Sequence, residues 1–333
     1  MSTDLLKNPI FTDEAAAREW LEARVWPEGP TCPHCGNADK AKIKALQGKA
    51  HRPGLYQCAE CREQFTVTVK TVFERSKIPL TKWLAALFLM TASKKGVSAH
   101  QVHRMLGISY KSTWFMMHRL REAMRQGGLD PLGGEGQIVE ADETYFGSVE
   151  RAKRRTTTTH GKPFKASGKS GPSNKRPILS LVERGGRVRS FHIPVADKET
   201  VERIVKENVA RESKLHTDES RLYGGAAEHF AEHETVHHSS DEYVRFKFTW
   251  GEDGPKTEKV HTNSAEGYFG LFKRGMRGVY QHCSEKHLHR YLAEFDFRYN
   301  NRAKLGIDDA ARAAALAEGI VGKRLTYRRP YQA

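Results

Sequence analysis

The 333-residue chain has no apolar run long enough to cross a bilayer. Its longest, WLAALFLM from Trp83 to Met90, is well short of the roughly 20 residues that a spanning helix needs. The first residues, MSTDLLKNPIF, lack the basic stretch followed by an apolar stretch that marks a secretory leader. A soluble, cytoplasmic protein is therefore expected, with no membrane partner. The five cysteines are an odd number, two tight pairs and a lone Cys283, which excludes a secreted disulfide framework. Acid does not balance base: 40 Asp and Glu stand against 55 Lys and Arg, a formal charge of +15. That excess points to a polyanionic partner, most often nucleic acid, and says little about fold. The length suggests two or three domains.

The two cysteine pairs are CPHC (Cys32, Cys35) and CAEC (Cys58, Cys61), with 22 residues between them. Each pair presents two thiolates from one tight turn, and four thiolates close a tetrahedral structural zinc site. The spacer holds one β-hairpin, and EQFTVTVKTVF after it alternates like a strand. Together with a short helix after Thr12 or Asp13, this predicts a zinc ribbon over 12–76, suited to DNA or protein contact. Over 77–126 a helix from about Thr81 breaks near Lys95 to Val97. Ser98 and Gln101 form a capping pair for a short helix ending at Leu106 and Gly107. Ser109 then opens a longer one with Trp114, Met117, Leu120 and Met124 on one stripe. This is the pattern of a helix-turn-helix. Lys111, Ser112 and Thr113 would face DNA, and Arg119 or Arg121 would hold phosphates.

After a Gly-rich break the chain changes character. A strand over 137–146 carries Asp142, an acid that is costly to bury unless paired or bound to a cation; Glu140 and Glu143 read as outward-facing acids. The segment 151–177, basic and without acid, reads as a flexible loop. A hairpin turning at Gly185-Gly186, an amphipathic helix, a strand ending at Asp218, a further short strand and a helix over HTNSAEGYFGLFKRG follow. In that helix Asn263, Glu266 and Lys273 share a face, since seven steps of about 100° return to within about 20° of the start. The order matches an RNase H-like fold, a mixed sheet flanked by helices. There the strands of Asp142 and Asp218 lie side by side and the later helix brings Glu266 over their ends. Three carboxylates would then hold two Mg²⁺ (or Mn²⁺) ions for phosphodiester cleavage, and Lys273 would meet a phosphate. The stripe of Leu288, Tyr291, Leu292, Phe295 and Phe297 reads as core, and the histidines at 282, 287 and 289 do not read as a metal site.

CPHCG…YQCAEC, ADETYFG, LHTDES and the long stretch HTNSAEGYFGLFKRGMRGVYQHCSEKHLHRYLAEFDFRYNNR resemble bacterial insertion-sequence transposases of the DDE class. More narrowly, they resemble the ISXO-like group, which has an N-terminal zinc ribbon, a helix-turn-helix and a DDE catalytic domain. The resemblance runs over about 12–305. It implies an α+β multidomain chain: zinc ribbon, helix-turn-helix, RNase H-like catalytic domain over 135–305 and a tail over 306–333. It implies Asp142, Asp218 and a third ligand as a metal triad, with Lys273 as the accompanying base. The group carries Glu or Asn at the third place; both Glu266 and Asn263 are present, and Glu266 is preferred for its charge and its seven-residue step to Lys273. The implied partners are double-stranded DNA, as terminal inverted repeats and target, and further copies of the chain assembled on it. The alternatives are a transposase-derived DNA-binding regulator without catalysis and a nuclease of the same fold.

Overall fold

The computed structural model describes residues 7–125, 127–148, 175–226, 228–251 and 254–326. Most of the expected basic loop, 151–174, lies outside them. The chain divides into two compact units, Met1–Gly127 with Asn301–Ala333, and Gly128–Asn300.

The first unit opens with helix α1, Glu14–Val25, capped by Asp13 accepting from the amides of Ala15 and Ala16. A small antiparallel sheet follows, β1 (Ile43–Ala45), β2 (Tyr56–Cys58) and β3 (Gln64–Phe65). The strand expected beyond Gln64 ends after two residues. The Thr66 and Thr68 hydroxyls bond each other at 2.9 Å and Thr71 Oγ1 donates to the Thr68 carbonyl at 2.7 Å, so local hydroxyl bonds turn the chain where the ladder would have continued. Helices α2 (Leu80–Ala92), α3 (Ala99–Leu106) and α4 (Tyr110–Met124) come next. Ser98 and Ser109 cap α3 and α4 through the Gln101 and Ser112 amides, and Gly107 ends α3 in the left-handed region that glycine tolerates. The stretch expected as a C-terminal tail includes helix α8, Asp309–Glu318. It packs in this unit, with Arg312 Nη1 donating to the Thr91 carbonyl at 3.0 Å.

The second unit holds strands β4 (Ile138–Ser148), β5 (Lys175–Glu183), β6 (Val188–His192), β7 (Lys214–Asp218) and β8 (Glu232–Val236). Among the described residues they form one five-stranded sheet in the order β6-β5-β4-β7-β8. β4, β5 and β6 run antiparallel, while β7 lies parallel to β4 and β8 parallel to β7. Helix α5 (Lys198–Asn208) covers one face, with Val139, Ala141, Leu179, Leu181 and Leu215 packed against Val201, Ile204 and Val205. Helices α6 (Asn263–Gly275) and α7 (Leu288–Asn300) cover the other, where Ile178, Val182 and Val188 meet Tyr268, Phe272, Leu292 and Phe295. A sheet covered on both faces explains why β5 is buried from Arg176 to Val182 with little polar alternation. Strands β9 (Arg245–Gly251) and β10 (Gly254–Val260) form a separate antiparallel hairpin that was not expected. No helix among the described residues is long and apolar enough to cross a membrane.

Candidate active site and zinc centre

The four sulfur atoms of Cys32, Cys35, Cys58 and Cys61 lie within 4.8 Å of one another. The Cys32–Cys61 and Cys35–Cys58 separations are 3.6 and 3.7 Å, close to the edge of about 3.8 Å that a tetrahedron of Zn–S bonds requires. The backbone N–H of Cys61, helped by the Asn37 amide, holds the Cys58 thiol down to about 6, whereas burial and the neighbouring thiols raise Cys35 and Cys61. Trp26, Tyr56 and Phe65 pack round the cysteines, so the site sits on a small aromatic core. These residues fit a structural zinc. Cys283 stands apart, buried, its Sγ 3.3 Å from the Ser284 carbonyl.

The second site is built by strand register. β4 and β7 pair in parallel with Glu140 opposite His216. The pairing ends there; Asp142 and Asp218 follow two residues further along the two neighbouring strands, close enough for the Asp218 charge to act on Asp142. Parity decides the face. Val139, Ala141 and Leu215 lie in the core under α5, so Glu140, Asp142, His216 and Asp218 turn to the face of α6. Burial pushes the Asp142 carboxyl up to about 8, and the charges of Asp218, Glu143 and Glu266 add to the rise. Burial likewise raises Asp218, against the Ser220 N–H that donates to its Oδ1 at 3.0 Å and the nearby His238. The cluster therefore carries more negative charge than the protein offsets, a condition that a divalent cation relieves. Among the described residues only the cysteines form a ligand set within 4.8 Å, so these acids are more loosely spaced.

The helix α6 is brought to the strands by Glu140. This carboxylate has no exposed surface. It accepts the Ser264 and Ala265 amides at 2.7 and 3.1 Å and the Ser264 hydroxyl at 2.9 Å. A strand side chain thus caps the helix, placing negative charge at the positive end of its dipole. Arg184 donates Nε and Nη2 to Glu140 at 3.0 and 2.9 Å, and His261 Nδ1 lies 3.2 Å from it. The expectation of an outward Glu140 is corrected. It has the parity of Asp142, two residues on, and that parity was the available signal. Glu143 points to the opposite face, where it is half-buried and accepts the Tyr223 hydroxyl at 2.7 Å.

On α6, Asn263 and Glu266 are exposed and Lys273 is half-buried. Glu266 Oε1 lies 3.7 Å from His238 Nε2, a residue not singled out from the sequence. Burial, then Arg277, lowers Lys273 below the ordinary lysine range, while Asp142 acts in the other direction, so the two groups sense each other.

The residues expected to face DNA divide. Lys111 and Ser112 are exposed on the first turn of α4. Thr113 is buried, its hydroxyl donating to the Ser109 carbonyl at 3.0 Å. Arg119 and Arg121 are buried too, against expectation. Arg119 Nη2 donates to the Glu74 carbonyl at 2.6 Å and its guanidinium lies 5.5 Å from the Trp83 ring centre. Helix α4 is covered round much of its circumference, and the long arginine stems serve as packing surface there.

Residues 131–300 match the ISXO2-like transposase domain, and residues 12–64 match the transposase zinc-ribbon domain. The chain belongs to the ISXO2-like transposase family, whose members serve insertion-sequence transposition. It is 27% identical over 294 residues to an uncharacterized protein in transposable element ISH50 of Halobacterium salinarum, covering 86% of this chain and 91% of that one. Two solved structures show a slight likeness. The Mos1 strand transfer complex has a TM-score of 0.27 at 11% identity, over 70% of this chain and 73% of that one. The Mos1 transposase paired-end complex with the left transposon end has 0.26 at 12%, over 71% and 74%.

Proposed function

We propose that this family member is an active DDE-type DNA transposase that cleaves the ends of its element and joins them to target DNA. What supports the proposal is the parallel pairing of β4 with β7, together with the charges of Asp218 and of Glu266 on α6 acting on Asp142. The mixed sheet order with helices on both faces supports an RNase H-like catalytic domain. Asp142 and Asp218, with Glu266 or Asn263 as third ligand, would hold divalent cations, Mg²⁺ or Mn²⁺. Such ions would supply Lewis acidity at the reacting phosphodiester.

The chain's own residues supply position and charge. Glu140 fixes the start of α6, and so the distance from Glu266 to the strands. Lys273, half-buried and sensing Asp142, meets a nonbridging phosphate oxygen as a point charge. A water attacks the phosphorus at the element end. The bond to the 3′ oxygen breaks, and that oxygen leaves as a 3′-OH. The freed 3′-OH then attacks a target phosphodiester and displaces its 3′ oxygen, so bonds broken and formed are equal in number and no covalent protein intermediate is needed. Helices α3 and α4 form a helix-turn-helix that reads the terminal repeats, with Lys111 and Ser112 toward DNA. Two ends must be held together, so the protein works as an oligomer on DNA.

The test is a labelled duplex carrying the element ends, incubated with a target plasmid and with wild-type protein or Asp218→Ala, with and without Mg²⁺. Metal-dependent cleavage and joined products, lost in the variant, are expected. Site-specific binding without cleavage by the wild type would instead assign a DNA-binding regulator.

A further inference from the structure

The β9–β10 hairpin has two unlike faces. On one, Arg245 pairs with Glu234 at 2.7 Å, Lys247 with Glu232 and Glu234, and Glu258 with Lys214. These ion pairs fasten the hairpin along β7 and β8. On the other face Phe246, Phe248 and Trp250 stand in a row, spaced by two residues as a strand requires. They are 53, 75 and 85% exposed. Their cross-strand neighbours are Lys259, Thr257 and Pro255, and the Lys259 ammonium lies 5.8 Å from the Phe246 ring centre. Among the described residues this face carries three aromatic rings, one cation and no carboxylate.

Three large exposed rings in line are costly to leave in water without a partner. A second copy of the chain is a poor fit. Three aromatic side chains offer at most roughly 150–250 Å² each, short of the roughly 800 Å² per partner that a stable interface buries. Among the described residues of this face Lys259 is the one charge, and it favours an anion, while Glu258 on the opposite face is paired with Lys214. Flat rings beside an ammonium are the means by which proteins hold single-stranded nucleic acid, the rings stacking on bases and the cation following the backbone. A paired duplex hides its base faces, so the occupant must be unpaired.

The hairpin is also tied to the candidate active site. Arg184 Nη1 donates to the Lys259 carbonyl at 2.8 Å while its other nitrogens hold Glu140, two residues before Asp142 on β4. From Val260 the chain runs directly into α6. We infer that the Phe246, Phe248 and Trp250 face of the hairpin is a stacking platform for unpaired nucleobases of the DNA strand near the reacting phosphodiester. The inference rests on the transposase reading for its placement beside the chemistry, and on the rings and Lys259 for the ligand class.

The experiment uses the full chain without Mg²⁺, so that nothing is cut. Fluorescence anisotropy reports binding to a single-stranded oligothymidylate and to a blunt duplex of the element end. The Phe248→Ala, Trp250→Ala double variant should bind the oligothymidylate at least about tenfold more weakly, as two lost stacking contacts imply. Its affinity for the blunt duplex should change by less than about threefold. Trp250→Phe, which keeps a ring, should restore most single-strand binding, and the far-ultraviolet spectrum of each variant reports folding. Unchanged oligothymidylate affinity in the double variant would overturn the inference. So would a shift from dimer to monomer on sedimentation without loss of single-strand binding, which would assign the face to a second copy. A wild type that binds the oligothymidylate through these rings yet never cleaves element ends would sink the transposase reading and leave the stacking platform standing.

Discussion

The Glu140 carboxylate accepts the backbone N–H of Ser264 at 2.7 Å, so one residue of β4 holds the helix whose first turn bears Glu266. Removing it strands the Arg184 guanidinium and uncaps α6. Breaking a buried ion pair from one side costs about 3–5 kcal/mol. Arg184 is partly exposed, so Glu140→Ala should cost about 3 kcal/mol in urea unfolding. The Glu140→Ala, Arg184→Ala double variant should cost less than the sum of the two single changes.

The choice between Glu266 and Asn263 is open to a paired substitution. If Glu266 is the third ligand, Glu266→Ala lowers metal-dependent cleavage of element ends by about 10³ or more, the scale of losing several kcal/mol of transition-state stabilisation. Asn263→Ala then loses about tenfold. The reverse ranking would assign the role to Asn263. Isothermal titration with Mn²⁺ on the same two variants reports the ligand independently of turnover.

The cysteine cluster should bind one zinc per chain, released with loss of the ribbon's fold, because the small core around Cys32 and Cys58 draws much of its stability from metal. Zinc content by colorimetric release and limited proteolysis within 31–65 check this. Cys58→Ser should lose the metal and become protease-sensitive there, whereas Cys283→Ser should keep both.

Lys111 and Arg119 should part company on DNA. Lys111→Ala, at an exposed position, should weaken element-end binding and lower the slope of log K against log salt by about 1. Arg119→Ala should leave that slope unchanged and lower stability instead, since its guanidinium is spent on the Glu74 carbonyl. Salt titrations of binding, with thermal melts alongside, separate the two.

Asp296 gives a pH test away from the metal site. Burial pushes its carboxyl up to about 6, although the Tyr268 hydroxyl and both the amide and hydroxyl of Ser190 donate to it. A carboxyl raised by folding binds its proton more tightly in the native state. Its contribution is therefore most favourable below about 4 and declines as pH rises through about 6, by roughly 3 kcal/mol at most. Asp296→Asn should remove that decline, seen as a smaller fall in unfolding free energy between pH 4 and pH 7 than in the wild type.

The features legible along the chain follow from local chemistry. Two C-x-x-C turns dictate a four-thiolate site whatever surrounds them. Serine caps and the helical period placed α3, α4 and α6, alternation placed the strand that carries Asp142, and a terminal acid marked the strand that ends at Asp218. The hairpin β9–β10 was legible too, in the alternating Phe246, Phe248 and Trp250 before a Gly-containing turn, and was missed. Tertiary structure alone decided the rest. Which strands pair, and in what register, depends on contacts between residues far apart in the chain, and the pairing of β4 with β7 is what brings the charge of Asp218 to bear on Asp142. Helix period shows that Thr113, Arg119 and Arg121 point to particular sides but not which sides are covered, since packing partners arrive from elsewhere. Glu140 looked like a solvated acid because its ligands, Arg184 and the amides of Ser264 and Ala265, stand more than forty residues away in sequence. Only folding brings them together and makes a buried charge stable.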